Sequence, residues 1–163
     1  MAELKVGKSR VLIGKGLFEN FGHHVLNITE PCKVLILSDE TVAKFYIEKL
    51  RKNLEKSGFK ISEFIIKPGE KSKTLSTATK IYEKMAADFF SRSDMVVSLG
   101  GGVVSDIAGF AAATYLRGIK FVSIPTSLLA QIDASIGGKN GVNLSFGKNL
   151  VGTFYSPELV LVD

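Results

Sequence analysis

The sequence predicts an α/β fold: an open, mostly parallel sheet with helices on both faces. Three observations carry this. Short β-branched runs such as "KVLIL" and "MVVSL" alternate with longer stretches of helical periodicity. The strand runs are continuously apolar, as in sheets covered on both sides. The length, 163 residues, suits one domain with a real core and hardly two.

The elements follow in order. Two short strands are expected near Leu4–Val6 and Arg10–Ile13, then a short helix from Leu17. Lys33 to Asp39, "KVLILSD", reads as a buried strand. After it, Val42, Phe45, Tyr46, Leu50 and Leu54 recur at helical spacing, and Gly58 supplies a stop. "FKISEFIIK" is the next strand. Beyond "PGEKSK", Ile81, Met85, Ala86 and Phe89 mark one face of another helix. Asp94 to Leu99 is a buried strand, three glycines and a small-residue helix follow, and "KFVSIP" is again a strand. "TSLLAQIDASIGG" reads as a helix and "SPELVLVD" as a strand. Ending on a strand fits truncation and a plain terminal strand equally.

Composition narrows the function. Hydrophobic residues make up 45% and charged residues 23%, the profile of a soluble globular protein. No apolar run reaches the roughly 18 residues of a membrane span, and the N-terminus lacks a signal peptide's apolar core, so no membrane partner is expected. A single cysteine, Cys32, excludes an internal disulfide and fits a cytoplasmic location. The net charge of +5 is scattered among glutamates, as in "EKLRKNLEKSGFK". That argues for solvated helix faces and small anionic ligands rather than a nucleic-acid stripe.

In parallel sheets, ligands gather at the carboxyl ends of the strands. Here those ends are "LSDE", "KPGEKSK", "LGGGVVSD" and "IPTS", all polar or glycine-rich. The G-x-G-x-x-G dinucleotide fingerprint fails, because Ser105 occupies the third glycine position and the loop follows a late strand. Its physics survives. A strand passing through Gly100, Gly101 and Gly102 into a helix leaves backbone N–H groups facing an open pocket, where a pyrophosphate can approach closely. Asp106, one turn into that helix, fits either a ligand contact or simple dipole compensation. A P-loop is the weaker reading, since neither Lys-Ser nor Lys-Thr follows these glycines and the Gly-Lys pair of "GGKNG" is followed by Asn140.

A polar cluster lies downstream. Asp133 sits among apolar neighbours in "LLAQIDASIGG", where a carboxylate is costly unless paired. Lys139 follows two glycines, and Lys148 and Asn149 follow another; each lysine fits an anion grip or an exposed loop. Arg117 fits a ligand contact or a helix C-terminal cation. His23 and His24 are adjacent and make a poor chelating pair, so no metal site is expected in this chain. No G-x-S-x-G elbow occurs, and Cys32 has no obvious histidine partner.

"PGEKSK", "SLGGGVVSDIAGFAAATYLRGIKFVSIPTSLLAQIDASIGGKNGVN" and "FGKNLVGTFYSP" resemble the 3-dehydroquinate synthase family across essentially the whole chain. The resemblance implies a Rossmann-like fold in which residues 1–163 form the NAD-binding N-terminal domain of a two-domain enzyme. A C-terminal helical domain, absent here, would hold zinc or cobalt. The implied reaction converts 3-deoxy-D-arabino-heptulosonate 7-phosphate to 3-dehydroquinate and phosphate by transient oxidation, phosphate elimination, re-reduction and aldol closure. It belongs to the shikimate pathway that leads to chorismate and the aromatic amino acids.

By position, the resemblance puts Asp39 and Glu70 on NAD ribose hydroxyls with Lys73 nearby. It puts Gly101, Gly102 and Val103 on the pyrophosphate, Asp106 near the nicotinamide ribose, and Thr126 and Ser127 beside the nicotinamide. Asp133, Lys139 and Asn149 would hold the substrate, with Lys139 and Lys148 also on the cofactor side and Lys148 bridging the two. Arg117 would reach the substrate phosphate, from a neighbouring subunit of a homodimer. Thr41 stands where many members have Asn, and Ser127 replaces a common Thr; both keep hydrogen-bonding capacity. The isolated fragment is expected to be inactive. Related sugar-phosphate cyclases, polyol dehydrogenases and a stand-alone nucleotide-sensing module are the competing readings.

Overall fold

Alternation along each strand decides where the core sits. The computed structural model describes all residues, Met1–Asp163. In β3 (Lys33–Asp39), Val34 and Ile36 turn to one face of the sheet and Leu35 and Leu37 to the other. The first face packs on α1 (Phe21–Leu26) and α2 (Glu40–Lys56) through Phe21, Leu50 and Leu54. The second packs on α3 (Leu75–Ala87) and α4 (Gly102–Thr114) through Ile81, Met85, Ile107 and Ala111. Each face holds 17 buried residues, so neither is left to solvent.

The sheet has seven strands in the order β1-β2-β9-β6-β5-β3-β4. These are β1 (Ala2–Val6), β2 (Ser9–Ile13), β9 (Leu159–Val162), β6 (Lys120–Pro125), β5 (Met95–Gly100), β3 and β4 (Lys60–Ile66). Every pairing is parallel except the β1–β2 hairpin at one edge. The mostly parallel, doubly covered α/β sheet therefore agrees with the expectation. The last strand in sequence is not peripheral: β9 fills the gap between β2 and β6, with Leu159, Val160 and Leu161 fully buried. Burying each such side chain contributes about 1.5–3 kcal/mol.

Lys139 to Phe154, for which the sequence predicts no element, form an antiparallel hairpin, β7 (Lys139–Leu144) and β8 (Gly147–Phe154). Three local expectations are corrected. The helix at "TSLLAQIDASIGG" shrinks to a short turn, π-helical over Ala130–Ala134. Helix α3 stops at Ala87, and Phe89, left-handed at φ 56°, is 82% exposed instead of extending the apolar face. Phe45 of α2 is also exposed: within the periodic set Leu50 and Leu54 are buried and Val42 packs against the core, whereas Phe45 and Tyr46 face solvent.

The small residues of α4 explain how the hairpin attaches. This helix is buried on nearly all sides, between the sheet and β7. Gly109 has no Cβ, and the Asn140 carboxamide occupies that space. Asn140 Nδ2 donates to the carbonyls of Gly138 (2.9 Å) and Tyr155 (2.8 Å), which ties both ends of the hairpin together.

Candidate functional site

Strand order brings the four polar strand ends together. β6, β5, β3 and β4 are consecutive neighbours, so the loops that follow them share one edge of the sheet. Thr126, just past β6, donates its N–H to Gly100 at the end of β5 (2.9 Å). A cavity of about 170 Å³ opens there, with Asp39, Gly69, Gly101, Gly102 and Val103 in its wall.

The helix that starts at this cavity differs from its long neighbours. Helix α2 is capped by Asp39, whose Oδ1 accepts from the N–H groups of Thr41 (2.8 Å) and Val42 (3.1 Å). Helix α3 is capped by Thr74, whose Oγ1 accepts from the Thr77 N–H (3.2 Å). Helix α4 has glycine at its N-cap and no side-chain cap. Its first-turn donors remain available to an anion in the cavity, and the helix dipole favours one there.

Beside the cavity lies a linked set of side chains. Lys73 is 4% exposed, and its Nζ pairs with Asp106 and donates to Asn149 Oδ1 (2.6 Å). The Asn149 N–H donates to Asn143 Oδ1 (2.9 Å), and Asn143 Nδ2 donates to Glu70 Oε1 (2.7 Å). Burial pushes the Asp106 carboxyl above its ordinary range; Lys73 opposes this, while the Glu70 and Asp133 charges add to it. Lys73 is thus a buried ammonium group held between a carboxylate and an amide oxygen.

Of the residues expected from sequence, Asp39, Gly101, Gly102 and Val103 line the cavity, and Glu70, Lys73, Asp106 and Asn149 form the linked set. Thr126 and Ser127 lie exposed at the end of β6, and a Cβ on Gly101 would meet Ser127 Oγ at 3.5 Å. Lys139 and Lys148 are not together: Lys139 pairs with Phe154 at one end of the hairpin, whereas Lys148 adjoins the turn at the other. Asp133 is exposed rather than buried among apolar neighbours, because the short helical turn points it outward together with Ile132.

Arg117 lies at the opposite, amino-terminal ends of the strands, three residues before β6 begins, and so does not join the cluster within this chain. Nor does it end α4, which stops at Thr114. Leu116 and Arg117 both adopt left-handed conformations (φ 50° and 69°) ahead of Gly118 at φ 120°, and Arg117 is presented to solvent. Such backbone strain costs on the order of 1–3 kcal/mol per residue and concentrates at functional positions.

Sequence reasoning missed Asn143. A hairpin would have exposed it, but the turn residues Ser145 and Phe146 carry none of the Asn-Gly signal that announces one. No group of three or more His, Cys, Asp or Glu side chains comes together to hold a metal ion. No helix is long and apolar enough to cross a membrane.

Comparisons with known proteins agree on one lineage. The family model described as 3-dehydroquinate synthase N-terminal matches residues 63–163. The 3-dehydroquinate synthase of Clostridium acetobutylicum is 50% identical over 163 residues, which is 99% of this chain and 46% of that protein. The structure of 2-deoxy-scyllo-inosose synthase complexed with carbaglucose-6-phosphate, NAD+ and Co2+ is similar at a TM-score of 0.92 and 29% identity, covering 99% of this chain and 46% of that one. The 2-epi-5-epi-valiolone synthase of Streptomyces hygroscopicus, with NAD+ and Zn2+ bound, has a TM-score of 0.85 and 33% identity, covering 100% of this chain and 45% of that one. The chain thus spans a little under half the length of the relatives it matches.

Proposed function

The chain belongs to the 3-dehydroquinate synthase family, and on that premise we propose that it is the NAD-binding N-terminal domain of a two-domain, metal-dependent lyase. The whole enzyme converts 3-deoxy-D-arabino-heptulosonate 7-phosphate to 3-dehydroquinate and inorganic phosphate. The observation that carries this reading is the uncapped N-terminus of α4 opening on a glycine-walled cavity beside the Lys73–Asp106 pair. Solved relatives that hold NAD+ support it.

The residues present fit the cofactor. Its diphosphate suits the free N–H groups of Gly102 and Val103, and the missing Cβ atoms let it approach. Both capping bonds of Asp39 fall on Oδ1, which leaves Oδ2 to accept from a ribose hydroxyl. Glu70 already accepts from Asn143 on Oε1 and keeps Oε2 for a second hydroxyl. Lys73 offers a fixed positive charge, Asp106 lies next to it, and Thr126 and Ser127 supply hydroxyls on the nicotinamide side. Bound NAD+ supplies the reversible oxidation of a substrate alcohol that acidifies the neighbouring C–H for phosphate loss.

Asp133, Lys139, Lys148 and Asn149 hold the sugar phosphate in this reading, and their exposure suits side chains that meet a ligand between two domains. Arg117, strained outward at the amino-terminal ends of the strands, serves the site of a second copy in a homodimer. The chain's own side chains do not fit a divalent metal, so the zinc or cobalt ligands belong to the second domain. A cytoplasmic location completes the proposal.

Calorimetric titration with NAD+ and a phosphate-release assay test it. The 163-residue chain is expected to bind NAD+ and to release no phosphate from the heptulosonate phosphate, even with added zinc. Joined to a family C-terminal domain, it is expected to turn over. Turnover by the chain alone overturns the division of labour, and absence of NAD+ binding overturns the cofactor assignment.

A further inference from the structure

Asn143 occupies a singular position between the two groups of candidate residues. Its backbone N–H donates to the Lys73 carbonyl (2.8 Å), its Nδ2 donates to Glu70 Oε1 (2.7 Å), and its Oδ1 accepts the Asn149 N–H (2.9 Å). Asn149 in turn stands left-handed at φ 55°, with its own carboxamide oxygen on Lys73 Nζ (2.6 Å). Resting on the reading above, we propose that Asn143 is the positioning residue that fixes Asn149 and couples it to Glu70 and Lys73. It makes the cofactor-side and substrate-side residues one mechanical unit.

The chemistry demands a carboxamide. One planar group must donate to a carboxylate on one side and accept a backbone N–H on the other. An aspartate could accept but would face Glu70 with like charge. An alanine would do neither. The Asn149 backbone needs such an anchor, because a non-glycine residue in the left-handed region is disfavoured, though asparagine tolerates it best. With its N–H held, the Asn149 side chain is aimed at Lys73, and Lys73 is prevented from folding away from Asp106. The carbonyl of Lys73 is bound by the same residue, so the turn carrying Glu70 and Lys73 follows the tip of the hairpin.

Residue-resolved amide hydrogen exchange on the 163-residue chain reads the anchoring bond without any ligand. In Asn143→Ala, exchange at Asn149 is expected to accelerate about tenfold, with Val97 and Ala108 in the core unchanged. Asn143→Asp retains an acceptor, so protection at Asn149 is expected to survive. Unchanged exchange at Asn149 in Asn143→Ala overturns the proposal, and so does lost protection in the folded Asn143→Asp protein. NAD+ titration supplies a second readout that a merely structural role would not move. Asn143→Ala is expected to weaken NAD+ about fivefold, an effect separate from the modest fall in melting temperature that the loss of its two side-chain hydrogen bonds brings. Loss of melting temperature with unchanged affinity overturns the coupling. If the wild-type chain fails to bind NAD+, the cofactor assignment falls, while the exchange result still decides the role of Asn143.

Discussion

Gly109→Ala tests how the hairpin is held to the domain. A Cβ there would stand 1.9 Å from Asn140 Oδ1 and 2.4 Å from its Cγ, so the carboxamide must leave. Asn140 is 7% exposed, so water offers little replacement. Its two bonds to the carbonyls of Gly138 and Tyr155 are lost, at about 1–1.5 kcal/mol each, and overpacking adds about 1–3 kcal/mol. The gain in helix propensity from glycine to alanine offsets about 1 kcal/mol. The net loss is about 2–5 kcal/mol, or a melting temperature lower by roughly 4–20 °C for a domain of this size. Thermal and urea unfolding followed by circular dichroism measure it. The sign should reverse in an Asn140→Ala background, where the obstacle is gone and the added methyl contributes only helix propensity. A Gly109→Ala protein as stable as wild type, or a second substitution that still destabilises after Asn140→Ala, would refute the packing argument.

Three further outcomes follow. Gly101→Val should fold with less than about 1 kcal/mol lost, since a Cβ there meets nothing closer than Ser127 Oγ at 3.5 Å; NAD+ titration should show binding abolished by the added branch in the cavity wall. Lys73→Met removes the partner of a carboxylate whose side chain is 19% exposed, and should cost about 2–3 kcal/mol at pH 7.5 in urea unfolding. The Asp106 carboxyl is already above its ordinary value and rises further without Lys73, so the folded state holds a proton that the unfolded chain releases near pH 4. Stability is therefore lost as pH rises through the folded value, and the deficit of Lys73→Met should shrink when measured at pH 4.5. Burial pushes the Cys32 thiol up to about 11, so alkylation of the native protein at pH 8.5 should run about 100-fold slower than in urea. By the same sign, this thiol's contribution to stability is present below its ordinary value and lost as pH rises through about 11.

The uncapped glycine loop was legible because its geometry depends on what is locally absent. Gly100 to Gly102 between an apolar strand and a small-residue helix already implies free N–H donors, and the missing third glycine of the fingerprint does not alter that. Glu70 and Lys73 were placed by the family resemblance, yet their bonds to Asn143 and Asn149 cross more than 70 residues of chain and leave no periodic trace. Asp133 was misjudged for a related reason. Apolar neighbours in sequence imply burial only if the segment packs, and Leu128, Leu129 and Ile132 are themselves exposed.

By itself the sequence determined the alternation of strands and helices, the doubly covered sheet, and the polar residues at the strand ends. Those properties follow from periodicity and from residue types a few positions apart. Tertiary structure alone decided three things: that β9 enters the middle of the sheet, that "KNGVNL" and "GKNLVGTF" pair as a hairpin seated on Gly109, and that Asn143 bonds both Glu70 and Asn149. Each depends on a contact between distant segments. The free energy of such a contact lies in packing and hydrogen-bond geometry that exist only once the chain has folded.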